Sequence, residues 1–381
     1  MKIIHICPYF APAWGYGGTP KAVFELALAQ VKAGHEVTVL TTDVLDKKNR
    51  IKTNISKIKG IKVIRLKNLN NWLAWNLHQV TPYQIFKIPK LTKFQIIHLH
   101  EIRTFLNLFV LIFLGLKKQQ LFISPWGTLA HNHRLVWLKK LFDLIFKPLL
   151  NQHNLFFLGQ TKHELKTIQH YYPQAKFQLL PLGVNPNDFV NLPTKAQARK
   201  FFKLKQNEFV FVYLGRISAA KGLKLLIESF EKLASNRQVK LLIIGRDDGY
   251  LAELKNLILK LDLTKQVQIF PPIYGKKRFL AYKSANCFIS TPIADEETST
   301  TCLEALGCGT QVITTKQAEI PGLKNFKGLF QVIAKQTAVI QAMNKAIKTI
   351  QTTTGKTLLK QLSWKNINQQ LLNIYEKSHH L

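Results

Sequence analysis

Asp295-Glu296-Glu297-Thr298-Ser299-Thr300-Thr301-Cys302-Leu303-Glu304-Ala305-Leu306-Gly307-Cys308-Gly309-Thr310-Gln311-Val312-Ile313 is the stretch on which the reading of this chain turns. A short apolar run, Cys287–Ser290, precedes it, and a β-branched run, Gln311–Thr314, closes it. Between them Thr300–Gly307 has helical spacing, so the whole reads strand, acidic loop, helix, strand. That order is the unit of a parallel sheet covered by helices. Three of the 21 acidic residues crowd into its first three positions, and Glu304 falls on the helix. The Glu296-x7-Glu304 spacing sets one carboxylate in the loop and one in the helix, so that both can face one ligand. The plainer alternative is loop charge complementing the helix dipole, with Glu304 as a buried cap.

The same alternation runs through the chain. Strands are predicted at Ile3–Cys7, Val37–Thr42, Lys62–Leu66, Ile96–His100 and Leu121–Ser124. Helices are predicted at Lys21–Ala33 (ending at Gly34), Phe105–Leu116 and Leu135–Leu150. The pattern restarts after Asp188, with strands at Phe209–Leu214, Lys240–Gly245, Val267–Phe270, Cys287–Ser290 and Gln311–Thr314. Its helices are Leu223–Ala234, Leu251–Lys260, Lys277–Ser284 and Thr300–Gly307. Pro181, Gly183, Pro186 and Pro193 mark a connection, with a hinge expected near residues 184–200. The expected architecture is α/β: two Rossmann-like, doubly wound parallel-sheet domains, residues 1–185 and 186–361. A ligand cleft is expected at the carboxyl ends of the strands.

Composition bounds the function. At 381 residues and 46% hydrophobic, the chain has ample core for two domains and is not disordered. Its four cysteines are scattered, with no CxxC pair, which fits a reducing compartment and argues against a disulfide scaffold or zinc site. The 54 Lys+Arg against 21 Asp+Glu give a net charge of +33, and only nine of the basic residues are Arg. The excess is divided evenly, +17 up to Val190 and +16 beyond, so it is not a basic tail. Attraction to an anionic surface and a generic solvated shell remain as its two readings. The start of the chain reads as a strand, not a signal peptide. The most apolar window, Phe105–Leu116, is far shorter than the ~20 residues of a membrane span. A cytoplasmic protein is expected.

Two loops carry chemistry. Gly15-Tyr16-Gly17-Gly18 lies between the first strand and a helix, where backbone N–H groups and a helix N-terminus can meet a phosphate. Its spacing is not GxGxxG, and no GxxxxGK[ST] loop is present. In the second half, Arg216 follows a strand and Lys221 opens the next helix, so two cations could neutralise a diphosphate. No Asp-x-Asp sequence is available to bring a metal, and no metal or cofactor is expected. A chance pair is the competing reading in so basic a chain.

Here the residues carry a resemblance. Glu296-x7-Glu304-Ala305-Leu306-x-Cys308-Gly309-Thr310-x-Val312-Ile313 resembles the signature of the retaining GT-B glycosyltransferases of family 4, the group 1 enzymes. Supporting matches follow in order: Gly17-Gly18, Ile97-His98-Leu99-His100, Ser124-Pro125-Trp126-Gly127, Pro181-Leu182-Gly183-Val184, Gly215-Arg216 with Lys221-Gly222, and Ser363-Trp364. The resemblance implies the GT-B fold, two such domains facing each other across the donor cleft, and a helix at residues 362–381 crossing back to the first domain. It implies a nucleoside-diphosphate sugar donor, UDP- or GDP-linked, held by Gly17 and Gly18 on one side. Arg216 and Lys221 would clamp the diphosphate, Glu304 the ribose, and Glu296 the transferred sugar. Thr300 and Gly245 are further donor-binding positions. The acceptor would be a lipid-linked or surface-polysaccharide glycan entering from the first domain.

The departures are specific. Glu297-Thr298-Ser299 replaces the usual Gly-Phe-Gly, Leu182 the usual Asn, and Pro271-Pro272 a Gly near the base. Trp126 stands where relatives often carry His or Arg, and His131, with His133 beside it, is the candidate substitute; a lone His is otherwise a surface or helix-start residue. Lys47–Lys67 holds nine basic residues and no acid, and Leu135–Leu150 is an amphipathic helix with a very wide apolar face. The expectation from these two segments is peripheral contact with the anionic inner face of the cell membrane. A core helix with one wet edge is the competing reading of the second. A non-catalytic scaffold and a nucleic-acid binder are the other functional classes. The second lacks any recognition motif, and no nucleic-acid partner is expected.

Overall fold

Runs of Ile, Val, Leu and Phe become strands because parallel sheets bury both faces. The computed structural model describes residues 1–115, 118–130, 136–234, 238–294, 298–323, 326–349 and 355–379. It divides into two compact units, Met1–Gly183 with Trp364–Leu381, and Val184–Ser363.

The first unit is built on eight strands: β1 (Lys2–Ile6), β2 (Glu36–Thr42), β3 (Ile55–Ile58), β4 (Ile61–Leu66), β5 (Ile96–His100), β6 (Gln120–Ser124), β7 (Asn154–Gly159) and β8 (Lys176–Leu179). Their order is β3-β4-β2-β1-β5-β6-β7-β8. All pair in parallel except β3, which runs antiparallel on the edge beyond β4. Its helices are α1 (Gly18–Lys32), α2 (Asn71–Leu77), α3 (Phe105–Leu114), α4 (Val136–Asn151) and α5 (Lys162–Tyr171).

The second unit has a wholly parallel six-stranded sheet. Its strands are β9 (Phe209–Leu214), β10 (Val239–Ile244), β11 (Val267–Phe270), β12 (Cys287–Ser290), β13 (Gln311–Thr315) and β14 (Leu329–Val332), in the order β11-β10-β9-β12-β13-β14. The helices are α6 (Lys195–Phe201), α7 (Leu223–Ala234), α8 (Leu251–Lys260), α9 (Arg278–Ser284), α10 (Thr300–Gly307), α11 (Gln336–Lys348) and α12 (Gly355–Gln361). A last helix, α13 (Trp364–His379), belongs to the first unit, packs on α1, and sets the Tyr375 hydroxyl 2.7 Å from His98 Nδ1. Strand order reverses between β1 and β5 and between β9 and β12. At such reversals adjacent crossovers leave in opposite directions and open a crevice at the carboxyl ends of the strands.

The structure differs from the sequence expectations in instructive places. β3 and β8 were not foreseen because their side chains are largely exposed and carry little apolar pattern. β7 follows α4 after only two residues and was likewise not foreseen, although Pro148 in the last turn of α4 marks the helix's end. The 184–200 hinge is too long, because α6 lies within it and belongs to the second unit. Thr194 and Gln197 close a capping box at its start, a Thr-x-x-Gln signal present in the sequence. Its Arg199 is buried and donates to the carbonyls of Ser284, Lys205, Gln206 and Glu208 and to Asn286 Oδ1. Only a guanidinium has enough donors in one plane for that set. Arg199→Lys is therefore expected to destabilise the protein by about 3 kcal/mol, close to the cost of Arg199→Ala, since either leaves buried carbonyls unpaired. Denaturation midpoints of the two variants test this.

Candidate functional site

In the second unit the carboxyl ends of β9, β10 and β12 approach so closely that only glycine fits. A Cβ on Gly245 would lie 1.8 Å from Gly215 O, and one on Gly222 the same distance from Thr291 O. Gly222 also has φ 64°, which favours glycine. These contacts fix where Arg216 and Lys221 leave the sheet. Arg216 is exposed and pairs with Asp248 at 2.8 Å. Lys221 is half-buried and ends a single 3-10 turn, Ala219–Lys221, that is tied to the β12 end by Ile293 N–H donating to Ala220 O. Gly245, an expected donor-binding position, also has this packing role.

Glu304 sits on α10 with its side chain largely buried. Its Oε2 accepts from Arg278 Nε at 2.9 Å and from the Tyr282 hydroxyl at 3.0 Å. Arg278 also reaches Asp188 at 3.0 Å, and the two carboxylates hold its guanidinium more strongly protonated than usual, against the opposing effect of burial. The Cys308-Gly309-Thr310 run explains itself here. Gly309, at φ 78°, stops α10 in a Schellman motif, with Gly309 N–H on Leu306 O and Thr310 N–H on Ala305 O. Thr310 Oγ1 then donates to Tyr282 O at 2.9 Å, bracing the residue whose hydroxyl holds Glu304. Thr300 is the exposed first residue of α10, behind a Ser299 cap. The buried Thr298 hydroxyl has no partner among the described residues. Glu296 and His131, with Asp295, Glu297 and His133, lie outside the described residues.

In the first unit Gly17, at φ 108°, caps α1, and Gly18 is its first residue. A Cβ on Gly17 would meet nothing within 4 Å, so backbone conformation, not crowding, requires the glycine. The first turn of α1 carries no acid of its own. Across the β1–β5 reversal, Glu101 (φ 63°), Arg103 (φ 28°) and Trp126 (φ 54°) all hold left-handed backbone conformations. Such strain concentrates at functional sites. Burial raises the Glu101 carboxyl to a pKa of about 7, opposed by a hydrogen bond from the Thr19 side chain. Sequence reasoning missed Glu101, although it directly follows His98-Leu99-His100.

Those histidines form a buried relay. Trp126 Nε1, which can only donate, gives its hydrogen to His100 Nδ1 at 3.0 Å. His100 Nε2 must then donate to His5 Nδ1 at 2.8 Å, and His5 Nε2 to Gln30 Oε1 at 2.7 Å. His98 spans Tyr375 and Ser124. His5, His98 and His100 come within metal-binding distance of one another, but the hydrogen bonds occupy their lone pairs. Burial keeps all three neutral, with His5 lowered to about 4.

Residues 194–353 match the Glycosyl transferases group 1 family. The second unit thus carries a glycosyl transferases group 1 domain, and Arg216, Lys221, Arg278, Tyr282 and Glu304 all fall inside it. An uncharacterized glycosyltransferase of Methanocaldococcus jannaschii is 22% identical over 379 residues, 92% of this chain and 92% of that protein. The GPI3 subunit of the Saccharomyces cerevisiae phosphatidylinositol N-acetylglucosaminyltransferase is 24% identical over 98% of this chain and 82% of its own length. Anabaena HepE, solved in complex with UDP and with UDP-glucose, has the same fold over 99% of this chain and all of its own. In the UDP complex its TM-score is 0.76, at 16% identity. The GT-B fold expected from the sequence is therefore the fold observed.

Two pH effects follow. The buried histidines bind protons in the unfolded chain near pH 6.5 but resist them when folded. Stability of the first unit should therefore fall as pH drops below about 6.5 towards 4, measurable as a declining Tm. Glu101 works oppositely: its folded carboxyl titrates near 7 against 4.5 ordinarily, so ionisation costs stability above pH 4.5 and fully above 7. Glu101→Gln should stabilise the protein by about 2–3 kcal/mol at high pH and hardly at all near pH 4.

Proposed function

We propose that this protein is a retaining, metal-independent glycosyltransferase. It moves a hexose-type sugar from a UDP- or GDP-linked donor to a lipid-linked or surface-polysaccharide acceptor. The observation that carries this reading is the set gathered at the β9–β12 reversal: two cations on glycine-fixed loops, and a carboxylate, Glu304, braced by Arg278 and Tyr282. Family resemblance over residues 194–353 and the nucleotide complexes of HepE support it.

Arg216 and Lys221 would take the donor diphosphate. An exposed ion pair such as Arg216–Asp248 is worth at most about 1 kcal/mol, so a doubly charged phosphate group displaces it readily. The pre-held Glu304 has lone pairs for vicinal ribose hydroxyls. Glu296, outside the described residues, is assigned to the sugar hydroxyls by resemblance alone. In the first unit, Gly17 and Gly18 offer backbone N–H groups at the start of α1 to an anion. In the reaction the anomeric carbon–phosphate oxygen bond breaks and the acceptor hydroxyl oxygen bonds on the same face. The hydroxyl proton passes to the departing diphosphate, whose developing charge the two cations stabilise. Glu101, half-ionised near neutral pH, is suited to orient the acceptor hydroxyl. A lipid-linked acceptor places the enzyme at the inner face of the cell membrane; no helix among the described residues is long and apolar enough to cross it.

A thermal-shift series over nucleoside diphosphates tests the donor class. The matching nucleotide at about 100 times its Kd adds about 2.7 kcal/mol of stability. Arg216→Ala and Lys221→Ala should each lower kcat/KM by roughly 10²–10³. Transfer undiminished in both, and in Glu296→Gln, would overturn these assignments.

A further inference from the structure

α4 is built inside out. In a helix on a protein surface the charged residues face water and the apolar arc faces the core. Here Phe146 and Leu150 are buried, but the next side chain on that inner edge is Asp143. Arg103 grips it with two parallel bonds, Nε to Oδ1 at 2.7 Å and Nη2 to Oδ2 at 2.9 Å. The same guanidinium donates to the carbonyls of Thr128 and Leu129. This pair fixes the rotation of the helix. The rotation leaves Trp137 (65% exposed), Leu138 (39%), Leu141 (54%), Leu144 (70%) and Ile145 (61%) facing outward. At about 100° per residue they form one continuous arc of about 120°. Phe105 of α3 meets Phe142 edge to face at 5.6 Å, and Ile112 and Phe113 continue the exposed apolar face along α3.

Scattered exposed apolar residues need no explanation, but a contiguous arc of this kind marks a contact surface. Charge selects the partner. Lys140 and Lys147 border the arc, the only acid of α4 is turned inward and neutralised, and the whole chain carries +33. A second copy meeting this face about a twofold axis would bring the same lysines together. The lysine stretch 47–67, by contrast, belongs to the opposite end of the sheet, around the edge strand β3. There Arg65 is buried against Ala11 O and Ser56, and exposed Lys57 blunts the edge strand.

We propose that the outward face of α4, continued by α3, docks on an anionic lipid surface, with the apolar arc among the headgroups and acyl boundary and the flanking lysines on the phosphates. The proposal rests on the glycosyltransferase reading only in that a lipid-linked acceptor would lie on such a surface.

The test is flotation of the full chain with vesicles of pure phosphatidylcholine and of phosphatidylcholine with about 30% phosphatidylglycerol, at about 0.1 and about 1 M salt. Partition to the anionic vesicles should be tighter by about tenfold or more and weaken at high salt. Leu144→Gln/Ile145→Gln should reduce it by about tenfold or more, and Lys140→Glu/Lys147→Glu should remove the anionic preference. An unchanged Tm of each variant verifies its fold. Binding to neither vesicle, equal binding to both, or binding untouched by the Leu144/Ile145 variant overturns the proposal. So does a concentration-dependent dimer that this variant dissolves, because the face is then covered by a second copy. A nucleotide shift without vesicle binding removes this proposal alone. Vesicle binding without any nucleotide shift sustains it and removes the glycosyltransferase reading.

Discussion

Arg278 is the constraint on which the donor-side site depends. It binds Glu304 and Asp188 and lies over the Phe279 ring, so the Glu304 carboxylate is held in one position. The Tyr282 hydroxyl and the Thr310 brace complete a closed circuit through α9, α10 and the start of β13. The Gly309 stop matters because it delivers Thr310 to that circuit.

The same economy recurs across the molecule. Lysines outnumber arginines five to one, yet five of the seven arginines among the described residues hold a carboxylate or a set of backbone carbonyls, and Arg65 holds the Ala11 carbonyl and the Ser56 hydroxyl. Lysine supplies solvated charge; arginine, with its planar fork, supplies geometry. Arg103 is the most consequential, since it follows the strained Glu101 loop closely and also sets the rotation of α4. One side chain thus joins the proposed acceptor end of the first unit to its proposed lipid-facing surface.

Much of this was legible. The strands around both reversals were readable because parallel strands buried on two faces are short, dense and apolar. Arg216, Lys221 and Glu304 were visible through position relative to those strands. Arg278, Tyr282 and Glu101 were not, because none belongs to a local pattern. Rarity was the available signal for Arg278, one of nine arginines in a lysine-rich chain. Glu101 had only its place directly after a strand in a chain poor in acids. Gly245 has a packing requirement that the sequence did not disclose, the close approach of the Gly215 carbonyl.

Local chemistry, read from the sequence alone, determined the two α/β halves, the glycine turns, the helix stops and the acid–helix signature, because each depends on residues near one another in the chain. Tertiary structure alone decided which charges face which. The partner of Glu304 lies 26 residues away, that of Asp143 lies 40 away, and the His98–Tyr375 contact spans 277. Those pairings exist only once the sheets have brought distant strands together, and they determine whether a carboxylate is a ligand, a latch or a neutral acid.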